Sequence, residues 1–193
     1  FGVSACDHLE EMMFPLSAVA KEYVVVPPVQ VPNDNLEKAQ IVYVVATEDD
    51  TDLVFDPPQN GVPTNIANAG DFIEVPQGTN AYVVSSENKI MVSQYMVGQS
   101  GGFGTSDPAM ILAVGTDQYR DSYLFHAPPS WVANYVDIIA TDGSSVEVDG
   151  MAVNNFSAIG GTGFSYAHVQ LSNAGDGNHT VESDTPVGIS VSG

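Results

Sequence analysis

The sequence predicts an all-β protein of two tandem, divergent β-sandwich units, Ig-like or jelly-roll-like, with little helix. Residues that favour strands, chiefly Val, Thr, Tyr and Phe, fill short runs that 18 Gly and 12 Pro interrupt, as in strands joined by turns. Three segments of the first half also recur, in the same order, in the second half. With 193 residues and 44% hydrophobic content, the chain can form one large core or two small ones.

Strand-like runs follow one another almost from end to end, at 22–26, 41–47, 53–55, 72–75, 81–85, 89–97, 123–126, 135–141, 146–149, 164–171, 179–183 and 187–192. In the last run Val187, Ile189 and Val191 alternate with small residues, which is typical of a half-buried antiparallel strand. The run Ile41–Val45 is apolar without such alternation. It therefore predicts a central strand covered on both faces.

Helix signals are scarce. Asp107 and Pro108 form a capping residue and a first-turn proline ahead of the apolar run 109–114, but that run fits a buried strand equally well. Residues 35–40 are expected to form one helical turn at most.

Three ordered matches predict an internal duplication. Lys21–Pro28 aligns with Asp121–Pro128, Val44–Asp49 with Ile138–Gly143, and Val83–Ser93 with Val181–Val191. Their offsets of 100, 94 and 98 residues drift as loop insertions between preserved strands would make them drift. We predict a first unit at 1–103 and a second at 104–193, with the boundary in the turn-rich stretch 98–107.

The charge excludes several partners. Lys and Arg number 4 against 24 Asp and Glu, a formal net charge of -20, so neither nucleic acid nor an anionic membrane surface is an expected partner. No apolar run is long enough to cross a bilayer, and no direct membrane insertion is expected. The acidic surface suits salt water, where ions screen self-repulsion. Because the chain begins at Phe1 without a leader, we expect a processed chain or an excised piece.

Two features are candidate sites. Cys6 is the only cysteine, so it is either a buried thiol or pairs with a partner outside this chain. Clustered acid in one turn is what calcium needs, although a solvated acidic turn accounts for it as well. The candidate calcium ligands are Glu48, Asp49, Asp50 and Asp52.

No catalytic constellation is visible, and no catalytic or cofactor-binding residue is predicted. The four histidines are dispersed without metal-ligand spacing, and no nucleophile elbow occurs. Carboxylate pairs are uninformative among 24 acids. Trp131 is the only tryptophan; it is either a stacking surface or an aromatic that packs a sandwich edge.

Several motifs together resemble the family of domains named for the N-terminal region of the IgG Fc-binding protein, found in secreted bacterial proteins. The motifs are Cys6–Glu11 with Phe14-Pro15, Gln94–Gly98, Asp107–Met110, Gln118-Tyr119, Tyr123–Phe125, Gly177–Val181 and Pro186–Ile189. The resemblance covers nearly the whole chain and implies an extracellular, β-rich, non-enzymatic module. It does not imply antibody binding, because no residue of that activity maps onto an identifiable position. Where bacterial relatives show Trp-Gly-Lys, this chain has Val19-Ala20-Lys21, which changes the packing at that corner.

We therefore expect a structural or adhesive protein, part of an extracellular or cell-surface sheath, filament or similar assembly, that associates with itself or with other surface proteins through sandwich edges and faces. The alternative is a monomeric module that binds a glycan or a protein in a concave aromatic patch. A glycoside hydrolase is the least favoured reading, since it would need two converging carboxylates of raised pKa.

Overall fold

The computed structural model describes residues 8–30, 33–98 and 107–193, and in these ranges the regular structure is β-strand apart from 3-10 turns at Leu16–Ala18 and Thr116–Gln118. The strands are β1 (Ala20–Val25), β2 (Val29–Gln30), β3 (Asn33–Glu37), β4 (Gln40–Ala46), β5 (Thr51–Asp52), β6 (Val54–Asp56), β7 (Asn65–Ile66), β8 (Phe72–Gly78), β9 (Tyr82–Met96), β10 (Ala109–Leu112), β11 (Arg120–His126), β12 (Asn134–Thr141), β13 (Val146–Val148), β14 (Met151–Ala152), β15 (Ser157–Ala158), β16 (Phe164–Leu171) and β17 (Asn178–Ser192). The predicted all-β fold of two tandem sandwich units is confirmed.

One long strand organises each unit. In the first, the N-terminal part of β9 pairs with β1 and β6, while its C-terminal part pairs with β4 and β10. Strand β8 extends the sheet beyond β4. In the second unit, β17 occupies the position that β9 has in the first. It pairs with β11 and β13 near its start and with β12 near its end. Strand β16 pairs with β12.

A tyrosine bridges the same irregularity in both units. The Tyr23 hydroxyl accepts the Ala20 N–H at 2.8 Å and donates to the Ile90 carbonyl at 2.9 Å, beside the register shift between β1 and β9. In the second unit the Tyr123 hydroxyl accepts the Arg120 N–H at 3.0 Å and donates to a β17 carbonyl at 2.6 Å. In each case the tyrosine hydroxyl forms hydrogen bonds with backbone groups that the irregular strand pairing would leave unpaired.

This equivalence corrects the third sequence match by one residue. Tyr23 lies opposite Val84, and Tyr123 lies opposite Val181, so Val84 is the counterpart of Val181. Val83, which the sequence alignment matched to Val181, packs instead against the second unit. A slip of one residue moves a side chain to the other face of a strand, and apolar residues on both faces of β9 hid the slip.

The structure decides three local predictions. Residues 35–40 do not form a helical turn, since Asn33–Glu37 is a strand. Of the two alternatives for 109–114, the strand is right, although the side chains of β10 are only half-buried or exposed. Strand β4 is central, between β9 and β8, but its burial alternates, because only one face lies in the core.

The domain limits stay a prediction. The predicted division after residue 103 falls outside the described residues. Strand β10, which the prediction assigns to the second unit, pairs with β9 of the first. Under the predicted division, this strand therefore pairs across the boundary.

Each unit has its own core, and a third cluster joins the two units. Val24, Val26 and Val83 of the first unit pack with Ile159, next to partly buried side chains that include Tyr166 of the second. None of the helical turns in the described ranges is long and apolar enough to cross a membrane.

Candidate interaction surfaces

An apolar sheet face of the first unit departs from an ordinary solvated surface. Strand pairing places its side chains on one side of the sheet, because directly paired residues point to the same face. Val45 lies opposite both Phe72 and Met91, and Ile41 lies opposite Tyr95. We call this surface the aromatic face: Ile41, Tyr43, Val45, Phe72, Met91, Tyr95, Met110 and Leu112.

The aromatic face is preorganised and open. The Tyr43 ring contacts Phe72 at a centroid distance of 4.9 Å and Tyr95 at 5.0 Å, within the range of favourable ring pairs. Phe72 is 56% exposed, and its neighbours on the face are half-buried. Glu74 lies opposite Tyr43, and its carboxylate, as hydrogen-bond acceptor, raises the pKa of the Tyr43 hydroxyl. Rigid rings with one polar handle are typical of protein contact surfaces.

A second candidate is a groove between the two units, with a volume of about 250 Å³. Its walls are mainly apolar and include Trp131, which is 50% exposed. The groove is lined by Val26, Pro28, Gln40, Gln94, Met96, Ala109, Ile111, Trp131, Asp137, Ile139, Ser190, Val191, Ser192 and Gly193.

Polar atoms of the groove have unused hydrogen-bonding capacity. The Gln94 side-chain amide donates to the Gln40 side-chain oxygen at 2.7 Å and to the Val26 carbonyl at 3.0 Å. Among the described residues, the Gln40 Nε2 and the Ser192 Oγ find no partner although both are buried. Buried polar groups usually have partners, so the groove is suited to an uncharged ligand with both apolar and hydrogen-bonding parts.

Asp137, a buried carboxyl that lines the groove, contacts a histidine of the second unit. The His168 Nδ1 contacts the Asp137 Oδ1 at 2.7 Å. Burial raises the pKa of Asp137, and the hydrogen bond from His168 acts against this. Ser190 lies opposite Asp137 on the other neighbouring strand, so the carboxyl stands between the serine and the histidine. A nucleophilic triad needs the histidine in the middle, and this order does not match one.

A second histidine pair lies inside the second unit. His179 is buried, and its Nδ1 contacts the Asp149 Oδ2 at 2.7 Å, while the Thr180 N–H donates to Asp149 Oδ1 at 2.9 Å. Partial burial acts to raise the pKa of Asp149, but these hydrogen bonds outweigh it and lower the pKa. The pair holds the tight turn in which Asp149 has a φ of 50°.

The predicted calcium ligands lie on one exposed bend and on the short strand β5 that follows it. The Asn65 amide donates to Asp50 Oδ1 at 3.1 Å and to Asp52 Oδ1 at 2.9 Å, and the Ala69 N–H donates to Asp49 Oδ1 at 2.8 Å. Glu48 is exposed beside them. In the described ranges no group of three or more His, Cys, Asp or Glu side chains is arranged to hold a metal ion.

Calcium binding at Glu48 and its neighbours stays a prediction, which calorimetric titration decides. Heat that disappears in Asp50→Asn would support it, and no heat at millimolar calcium would end it. Cys6 lies outside the described residues, so its pairing also stays a prediction.

Sequence reasoning found Trp131 but missed both surfaces. The aromatic face depends on which strands lie side by side: β8 and β9 flank β4 although β9 follows β8 in the chain. One signal was present, since the apolar run Ile41–Val45 lacks the polar alternation of a solvated face. The groove joins residues from both units, and no local pattern indicates such a site.

Comparison with known proteins confirms the resemblance. The family model described as IgGFc binding protein matches residues 1–193. The human protein named IgGFc-binding protein is 28% identical over 192 residues, which is 96% of this chain and 3% of the human protein. The chain therefore spans a small fraction of the relative it matches. No solved structure matches the chain significantly. Because the family model covers every residue, the chain belongs to the IgGFc-binding protein family.

Proposed function

We propose that this chain is a non-enzymatic, adhesive protein-binding module of a secreted or cell-surface protein, and that the aromatic face is its contact surface. Family membership over the whole chain supports an extracellular binding role. A structural place in a surface assembly, such as a sheath or filament, is the form of this role that we favour.

The observation that carries the proposal is the composition of the aromatic face. Large open apolar patches are rare on soluble proteins and mark interaction sites. This one occurs on a chain with a formal net charge of -20, yet Glu74 is the acid that pairing places among its rings. Its rings also hold one another in place, which lowers the entropy lost on binding.

The partner is proposed to be a folded extracellular protein. The human relative carries IgG Fc binding in its name, so a purified Fc fragment is one analyte to test. Since the chain matches 3% of that protein, Fc binding by this chain is a separate question from binding through the aromatic face.

Photo-crosslinking tests the face without assuming the partner. A benzoylphenylalanine at position 72 is expected to give a defined protein adduct in the native extracellular medium, and Phe72→Ser should weaken that partner at least about tenfold. Leu124 is the matched control, since it is 78% exposed on the second unit and lies outside the face. Equal adduct patterns from positions 72 and 124 would contradict the proposal.

A second candidate function, glycan binding in the groove, is favoured by Trp131 and the two buried unpaired polar atoms. Trp131 is the only tryptophan, so its emission reports directly on occupancy. Titration with neutral oligosaccharides is expected to shift the emission, and Ser192→Val should abolish the shift. An unchanged emission across the sugars tested would remove this candidate.

A further inference from the structure

Strand β10 belongs to one unit by position and to the other by pairing. It precedes the 3-10 turn Thr116–Gln118 and β11, and it pairs antiparallel with the end of β9, from Ala109 opposite Met96 to Leu112 opposite Ser93. The next N–H, of Ala113, donates to the Val92 carbonyl at 2.9 Å, inside the core of the first unit. The segment that leads into the second unit therefore completes the sheet of the first.

In the described ranges, no strand covers the matching edge of the second unit. The bridging tyrosines donate to Ile90 in the first unit and to Val187 in the second, so these two residues are equivalent. Counting on from them, Ser190–Gly193 is the counterpart of Ser93–Met96. Strand β12 covers one edge of this stretch. On the other edge, β11 reaches only as far as Val187, and no described strand continues beyond it. Open edges offer unpaired backbone groups to an added strand.

The chain also contains an unused equivalent of β10. Leu9–Met12 precede the 3-10 turn Leu16–Ala18 and β1 at the same spacing at which β10 precedes its own turn and strand. These residues belong to no strand. Met12 is 88% exposed and Met13 52%, and the following turn is held by the Lys89 ammonium on the Leu16 carbonyl.

We propose that Leu9–Met12 of one copy adds as an antiparallel strand to the open edge of β17 in a second copy, with Leu9 opposite Gly193 and Met12 opposite Ser190. The contact repeats, between copies, the exchange that β10 makes within the chain. It uses different residues from the aromatic face, so it goes beyond the proposed function and can fail independently of it.

The geometry of this contact makes a head-to-tail assembly. Donor and acceptor lie on different units of one chain, so each copy has one of each, and a heterologous contact of this kind forms rings or chains of subunits. Glu10 and Glu11 lie in the donor segment, and both copies are strongly acidic. Association should therefore strengthen as salt screens the repulsion.

A pair of proline variants in the full chain tests the strand. The Ala113 N–H points at β9, so the N–H of Ile111, two residues earlier, points at β9 as well. The residue of the donor segment that corresponds to Ile111 is Glu11. Glu11→Pro removes a bond to the acceptor, whereas Glu10→Pro removes an N–H that points away from it. Sedimentation velocity in about 1 M salt should show association weakened at least about tenfold by Glu11→Pro and little changed by Glu10→Pro.

Cysteine trapping tests the register. In a Cys6→Ser background, Glu10→Cys with Ser192→Cys should give disulfide-linked ladders, because directly opposite residues share a face. Glu11→Cys with Ser192→Cys places the thiols on opposite faces and should not. Three outcomes would overturn the proposal: a monomer at high concentration in salt, equal effects of the two prolines, or no preference between the cysteine pairs. If the protein associates and the two proline variants weaken association equally, the contact uses another surface. None of these outcomes changes the crosslinking expected at position 72.

Discussion

Replacing Tyr23 with Phe should destabilise the first unit by about 2 kcal/mol. The change removes a hydroxyl and keeps the ring, so packing is preserved while the bonds from the Ala20 N–H and to the Ile90 carbonyl are lost. Each bond contributes about 1 kcal/mol net, and burial of an unsatisfied group adds to the cost. Tyr23 is 1% exposed, so water cannot replace the hydroxyl without disturbing the core.

Tyr123→Phe is the matched control, because it removes the same two bonds in the second unit. Tyr123 is only partly buried, so water can take over, and we expect a loss of about 1 kcal/mol or less. Urea unfolding followed by circular dichroism measures both, and 2 kcal/mol corresponds to a midpoint lowered by about 1 M. A Tyr23→Phe loss no larger than that of Tyr123→Phe would refute the reasoning.

Two further predictions concern the second unit. Gly188→Ala should lower the free energy of unfolding, measured in urea, by about 1 to 3 kcal/mol, because a Cβ would lie 2.5 Å from a ring carbon of Tyr119. The control is Gly143→Ala, whose Cβ meets no atom within 4 Å and which is strained only by its φ of 86°. Equal losses in the two variants would contradict the clash. The folded-state pKa of Asp149 is lowered, so its stabilisation is present above the unfolded pKa of about 3.9 and is lost as the pH falls through the lower folded value. Asp149→Asn should therefore lower the urea midpoint at neutral pH and converge with the parent chain in acid, and a gap that widens in acid would contradict this.

The sequence predicted the strands and the two-unit fold because those depend on local composition and on repeats. The match of Ala46 with Ala140 is exact in the structure. Ala46 lies on β4, which pairs with β9, and Ala140 lies on β12, which pairs with β17 in the same register. The match at Val83 slipped by one because β9 is apolar on both faces where it passes between the units. Pairing that crosses between units, as in β10, leaves no trace in a local pattern.

The composition of each outer sheet face depends on whether another part of the protein covers it. The outer faces of the two units differ in composition for this reason. On the face that the second unit covers, the first unit has Val24, Val26 and Val83, and the open counterpart in the second unit has Leu124, His126 and Thr180. Two of these three positions, His126 and Thr180, are therefore polar on the open face, while Leu124 stays apolar. The aromatic face does not follow that pattern. It keeps Tyr43 and Phe72 at the positions where the covered face of the second unit has Asp137 and Tyr166. At Tyr43 the open face is thus more apolar than its covered counterpart, which has Asp137 there, and an exposed apolar face of this kind is what a partner surface requires.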